Sequence, residues 1–148
     1  MQCFTMTNIR VKGVKGGREI DLLAIDPKNG KRYHVEIGIN VGKKMPLQGG
    51  RQGLTSNIEK FENTHVVNKI HEIFGDEKKY NKILVVWDVQ NGVIDKAKKY
   101  GIEIWYIAER LMELVGAQLG GTSKGSRDDI LRTVELMAEI ERIRSKSK

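Results

Sequence analysis

Two carboxylates interrupt segments that otherwise read as apolar β-strands. Asp21 sits in Glu-Ile-Asp-Leu-Leu-Ala-Ile, and Glu36 sits in Tyr-His-Val-Glu-Ile-Gly-Ile. Strand interiors rarely hold acids, because a desolvated charge without a partner is costly. The turn between them, Asp26-Pro-Lys-Asn-Gly30, makes the two segments neighbours in a hairpin, and hairpin register can bring the two carboxylates together. Two close carboxylates repel unless a proton or a cation intervenes. Oxygen-only ligation suits Mg²⁺ or Mn²⁺, and such an ion can activate water and stabilise a phosphoryl transition state. The plainer reading is an ordinary ion pair of Asp21 and Glu36 with Arg18, Lys31 or Arg32.

The charge distribution suggests a polyanionic partner. The 148-residue chain carries a net charge of +7. Residues 1–53 hold ten Lys and Arg against four acids, and the remaining residues are close to neutral. A basic excess on one part of a fold attracts nucleic acid first. The basic residues fall in strand-like and loop-like segments, not on an amphipathic helix, which argues against a membrane surface. No apolar run is long enough to span a bilayer, and no signal peptide is visible, so the expected compartment is the cytosol. A single cysteine, Cys3, excludes an intramolecular disulfide framework and a cysteine-based zinc site.

The elements that would position the acids follow from periodicity and punctuation. Phe4–Val11, Glu19–Ile25 and Lys31–Ile39 read as an antiparallel meander. Residues 40–56 form a basic, glycine-rich segment read as a mobile loop. Ser56-x-x-Glu59 resembles a capping box opening a helix that Asn63-Thr64 breaks in two and Gly75 ends. Ile83–Trp87 is a continuous apolar run suited to a strand buried on both faces. A short helix to Tyr100 and a strand Ile102–Ile107 follow, then a helix Ala108–Val115. After a glycine-rich linker, Ser126 caps a final amphipathic helix. The expected class is α/β: a mixed sheet, with a meander followed by α-β-α-β, flanked by helices. The expected division is a core domain over 1–118, then linker and helix over 119–148. That helix packs on the core or on a second subunit, where it would make a homodimer.

Gly-Gly-Arg-Glu-Ile-Asp21-Leu-Leu-Ala-Ile, a turn, then Lys-Arg-Tyr-His-Val-Glu36-Ile-Gly38 resembles the core of the PD-(D/E)xK nuclease superfamily. Within it, the segment looks most like archaeal Holliday-junction resolvases and Mrr-like endonucleases. The later element order also fits, so the resemblance covers roughly residues 4–107. It implies a restriction-endonuclease-like fold and a metal-dependent DNA endonuclease, with Asp21, Glu36 and the Ile37 carbonyl as ligands to Mg²⁺ or Mn²⁺. Glu19 would be an outer-shell partner of Asp21. Lys12, Lys15, Arg18, Lys43, Lys44 and Arg51 would grip DNA phosphates.

The chain departs from the family pattern at two places. The family lysine falls two residues after the acid, where this sequence has Gly38. Lys43 or Lys44 could reach back from the loop, or His34, on the strand face of Glu36, could serve as base. Without a replacement, the fold would be a catalytically inactive DNA-binding or assembly module. A helix usually precedes the first strand in this family, whereas this sequence begins almost in the strand. Either the sequence is a fragment or a later helix takes that place. Of the remaining candidates, His65 and His71 read as surface or packing residues, Trp87 and Trp105 read as core, Asp88 reads as a helix cap, and Gln48 and Gln52 could contact phosphate or base edges.

Overall fold

The computed structural model describes residues 4–13, 18–48, 50, 53–75 and 79–111. Cys3, Lys15, Arg51, Gln52, the linker and the terminal helix lie outside them. The chain divides into two compact units, Met1–Tyr106 and Ile107–Lys148, so the division follows the last strand and precedes the boundary expected near residue 118. No helix among the described residues is long and apolar enough to cross a membrane.

The first unit is an α/β structure. Strands β1 (Phe4–Val11), β2 (Arg18–Ile25) and β3 (Arg32–Ile37) form the antiparallel meander. Its second turn is tight because Gly30, at φ 68°, takes a left-handed conformation while its N–H donates to the Asp26 carbonyl. A two-residue strand, β4 (Lys44–Met45), precedes helices α1 (Leu54–Glu62) and α2 (Thr64–Phe74). These carry the chain to β5 (Asn81–Val86), parallel to β3. After a second short strand, β6 (Asp88–Val89), helix α3 (Val93–Lys99) leads to β7 (Ile102–Tyr106), parallel to β5. The result is a mixed five-stranded sheet of order β1-β2-β3-β5-β7, with β4 and β6 paired separately.

Two apolar clusters hold helices to sheet. Leu54, Ile58 and Phe61 of α1 pack with Leu84 and Val86 of β5. Val66, Ile70 and Phe74 of α2 pack with Ile20 and Leu23 of β2. The break at Asn63 lets the two helices cover different halves of the sheet. Its side chain accepts hydrogen bonds from the backbone of His65 and Val66, the arrangement that makes asparagine a good N-cap.

Within the loop expected over 40–56, residues 40–48 differ from expectation. The segment is pinned, because β4 pairs in parallel with β6. The Met45 carbonyl accepts from Gln90 N–H, the Pro46 carbonyl accepts from Leu54 N–H, and Met45 itself is buried. The capping box is also displaced. Helix α1 starts at Leu54 with Gly53 as N-cap, and Ser56 and Glu59 lie inside it. The Pro46 carbonyl and the Thr55 hydroxyl, which donates to the Leu47 carbonyl, tie the first turn to the loop in place of a side-chain cap. Trp87 lies just beyond β5 and is 38% exposed, so it is not core.

Replacing Asn63 by alanine removes the α2 cap and is expected to lower stability by about 1 kcal/mol, while serine retains most of it. Urea unfolding checks this: the midpoint shifts at constant slope in Asn63→Ala and recovers in Asn63→Ser. An unchanged midpoint in Asn63→Ala would count against the cap.

Candidate active site

The site is built at one end of the β2–β3 ladder. The paired residues end at Leu22 opposite Val35, and continuing that register places Asp21 across from Glu36. Cross-strand partners share a sheet face, so the two acids face the same side. In place of a further backbone bond, the Asp21 carboxylate accepts the Ile37 N–H at 2.7 Å. The β1 side is irregular at the same level. Thr7 pairs with Leu22 and Ile9 with Ile20, while Asn8, between them, has a left-handed φ of 54°. Asparagine tolerates that conformation better than most residues.

Glu36 is 1% exposed, and both its oxygens are engaged. His34 Nε2 lies 2.8 Å from Oε1. Lys60 of α1 donates to Oε2, and its ammonium also stands 3.8 Å from Asp21 Oδ2. Helix α1 provides this lysine from the flank of its buried stripe: Asn57, Ile58 and Phe61 are buried, while Lys60 keeps 30% of its side chain exposed. Its stem covers apolar surface as its head reaches the carboxylates.

Electrostatics separates the two acids. For Asp21, burial raises the carboxyl pKa above the ordinary value, and the Glu36 charge adds to this. The Ile37 N–H and Lys60 offset only part of it. For Glu36, burial also pushes upward, but the hydrogen bonds from His34 and Lys60 and the charge of Lys60 outweigh it and hold the carboxyl below the ordinary range.

Of the residues read from sequence, Asp21, Glu36 and His34 are brought together; Ile37 meets Asp21 through its N–H, not through the carbonyl expected as a ligand. The role expected of His34 is corrected. It has no solvent exposure, packs edge-on against Phe61 at 4.6 Å, and leaves Nδ1 without a hydrogen-bond partner among the described residues. A group sealed in that way orients Glu36 and cannot take a proton from an attacking water. Lys43 and Lys44 do not reach the acids either. Both are exposed, and Lys44 pairs with Asp88 at 3.3 Å, because β4 is held against β6. Asp88 therefore does not cap α3, whose N-cap is Gly92.

The cation that pairs with the acids is Lys60, not the ones expected from neighbouring positions. Arg18 donates to the Glu59 carbonyl, Arg32 lies over the Phe74 ring, and the Lys31 backbone N–H donates to Asn29. Glu19 is exposed and makes no hydrogen bond to Asp21. Lys12 and Gln48 take no part in the carboxylate contacts.

Gly38 has a steric explanation. A Cβ there would meet Met45 Cε at 2.5 Å, with Leu84 Cδ1 and Asn57 Nδ2 just beyond. The terminal methyl of Met45 lies over Gly38 and would have to shift for a side chain there, and Lys60 supplies the cation from the helix.

Among the described residues no three His, Cys, Asp or Glu side chains form a metal set. The oxygen donors at the site are the two carboxylates; the Ile37 N–H donates to Asp21, and both Glu36 oxygens are engaged by His34 and Lys60. The Lys60 ammonium, shared by Asp21 and Glu36, marks where that pair already holds positive charge.

No family model and no curated protein matches the chain. Among solved structures it is similar to the crystal structure of AF1548, a protein of unknown function, at 19% identity and a TM-score of 0.47, over 69% of this chain and 48% of that one. The chain thus spans about half the length of that protein.

The opposite shifts of the two acids give opposite stability effects in metal-free buffer. The raised pKa of Asp21 means that its charge destabilises the fold above the folded-state pKa and has no effect below the unfolded one. The lowered pKa of Glu36 means that its charge stabilises the fold above the ordinary carboxylate pKa, and that this is lost as pH falls through the folded value. Asp21→Asn is therefore expected to melt above the parent at neutral pH and Glu36→Gln below it. Both gaps should close on acidification. Thermal unfolding between pH 7 and pH 3 tests this; a neutral-pH destabilisation by Asp21→Asn would refute the assignment.

Proposed function

We propose that the chain is a divalent-metal-dependent DNA endonuclease of the PD-(D/E)xK type, with its lysine supplied by Lys60 of α1. The observation that carries the reading is the convergence of Asp21, Glu36 and Lys60: two acids from adjacent strands and a lysine from the helix above them. An acid pair with a lysine is a constellation suited to phosphodiester hydrolysis, and the basic first third of the chain suits a polyanionic substrate.

A divalent cation bound there would supply Lewis acidity toward a phosphoryl oxygen and make water a better nucleophile. Asp21 and Glu36 would hold it, with the Ile37 carbonyl as third donor. His34 fixes Glu36 by holding Oε1. Lys60 offsets negative charge developing at the phosphate and can orient the attacking water. The inactive-module alternative draws on Gly38. With Lys60 at the carboxylates, a missing lysine at 38 no longer argues for an inactive site.

The test is cleavage of linear duplex, supercoiled plasmid, single strand and four-way junction with Mg²⁺ or Mn²⁺. Asp21→Ala, Glu36→Ala and Lys60→Ala are each expected to lose activity about 10²- to 10³-fold, the scale of removing one stabilising group at a reacting centre. Lys60→Arg should recover part of it, and Lys43→Ala and Lys44→Ala should not reproduce the loss. Mn²⁺ should raise the melting temperature of the parent and not of Asp21→Ala. No cleavage of any substrate, or full activity in Lys60→Ala, would overturn the reading.

A further inference from the structure

A second basic feature lies where the end of β1 pairs with Arg18 at the start of β2. Arg10 and Lys12 at the end of β1 face the first turns of α2, and with His65, Asn68, Lys69 and Glu72 they line a polar cleft of about 420 Å³. Its wall is a close approach. Gly13, at φ +85°, lies so near the His65 ring that a Cβ there would sit 3.2 Å from two ring atoms. Gly13 is thereby packed onto the start of α2.

Charge in the cleft is only partly paired. Lys69 pairs with Glu72 at 2.7 Å. Arg10 stands across the ladder from Glu19 without an ion pair, and neither Arg10 nor Lys12 has an acidic partner among the described residues. Three cations against one acid leave the lining net positive, whatever the state of His65.

The cleft connects to the candidate active site through short covalent and hydrogen-bonded steps. Val11, between Arg10 and Lys12, pairs with Arg18, three residues before Asp21. Arg18 Nη1 donates to the Glu59 carbonyl at 2.9 Å, and the next residue is Lys60. His65 follows Lys60 by five residues, just past the Asn63 break.

We propose that the Arg10–Lys12–Lys69 cleft binds the phosphate backbone of the duplex DNA that the carboxylates address. The inference rests on the endonuclease reading for its ligand and goes beyond it in assigning the α2 face to substrate binding. It identifies Arg10, Lys69 and the His65–Asn68 edge as phosphate contacts. The chemistry is that of diester oxygens accepting from guanidinium, ammonium and amide donors.

The experiment measures binding of the full chain to a labelled duplex in EDTA across a salt series, for the parent, Arg10→Ala, Lys12→Ala, Lys69→Ala and the triple variant. Removing one phosphate-binding cation should reduce the slope of log K against log salt by about 0.9. The triple variant is expected to show a slope about two to three units shallower and to bind roughly tenfold or more weakly near 0.1 M salt. Lys98→Ala/Lys99→Ala on α3 should retain the parent slope. Amide spectra of the parent give a second reading that needs no variant: signals of Lys12, His65 and Asn68 should move on adding duplex.

Parent-like slope in the triple variant, or unmoved cleft signals, would overturn the proposal. So would shifts that inorganic phosphate at millimolar concentration reproduces in full, since that defines a small-anion site. The two readings fail separately. Reduced slope in the triple variant without any cleavage by the parent retains the cleft and sinks the nuclease. Lys60-dependent cleavage with an unchanged slope does the reverse.

Discussion

The buried carboxylate of Glu36 is the constraint that organises this fold. An acid with 1% exposure inside a sheet is tolerable only if charge and hydrogen bonds arrive from elsewhere. His34 supplies one partner from two residues away on the same strand, and Lys60 supplies the other from a helix beyond a long connection. The second partner fixes where α1 must cross the sheet. The apolar stripe of α1 and the Lys60 contact agree on that placement, because Phe61 packs on His34 while its neighbour Lys60 reaches Glu36.

The loop before α1 takes part in the same arrangement. Pairing of β4 with β6 brings Met45 into the core and against Gly38, closing the space a side chain at 38 would fill. It also holds Lys44 on Asp88. A segment rich in glycine and lysine, which its composition marks as mobile, is therefore structural, and Lys43 and Lys44 face solvent. Positive charge at the acids has to come from the covering helix instead. Positive charge at the acids comes from Lys60 of α1, with Met45 packed over Gly38.

Much of this is legible in the sequence. An aspartate and a glutamate inside apolar strands stand out because burial of charge is expensive, and a short turn makes their strands neighbours. The α/β class, the meander and the break at Asn63 follow from alternation, helical spacing and capping chemistry. Lys60 is not legible. A lysine beside the apolar stripe of an amphipathic helix reads as solvent-facing, and its target lies on a strand 24 residues earlier. The faint signal is Asn57, a polar residue on the buried stripe one turn before it, which borders the same helix edge. The case of His34 is related. Period two correctly puts it beside Glu36, but its burial depends on Phe61, a contact that strand periodicity cannot express.

The shared ammonium also defines what a divalent cation would encounter under the proposed reading. Lys60 is one ammonium beside two carboxylates: the hydrogen bonds from His34 and Lys60 hold the Glu36 carboxyl below the ordinary range, while burial and the neighbouring charge raise that of Asp21. The pair is thus under-compensated. A second positive charge beside Asp21 would relieve that imbalance without displacing Lys60 from Glu36, since Asp21 is the more exposed acid and lies 3.8 Å from the ammonium, outside hydrogen-bond contact. The asymmetry gives the two acids different surroundings: Glu36 is buried and anchors the helix lysine, and Asp21 is the more exposed side of the pair.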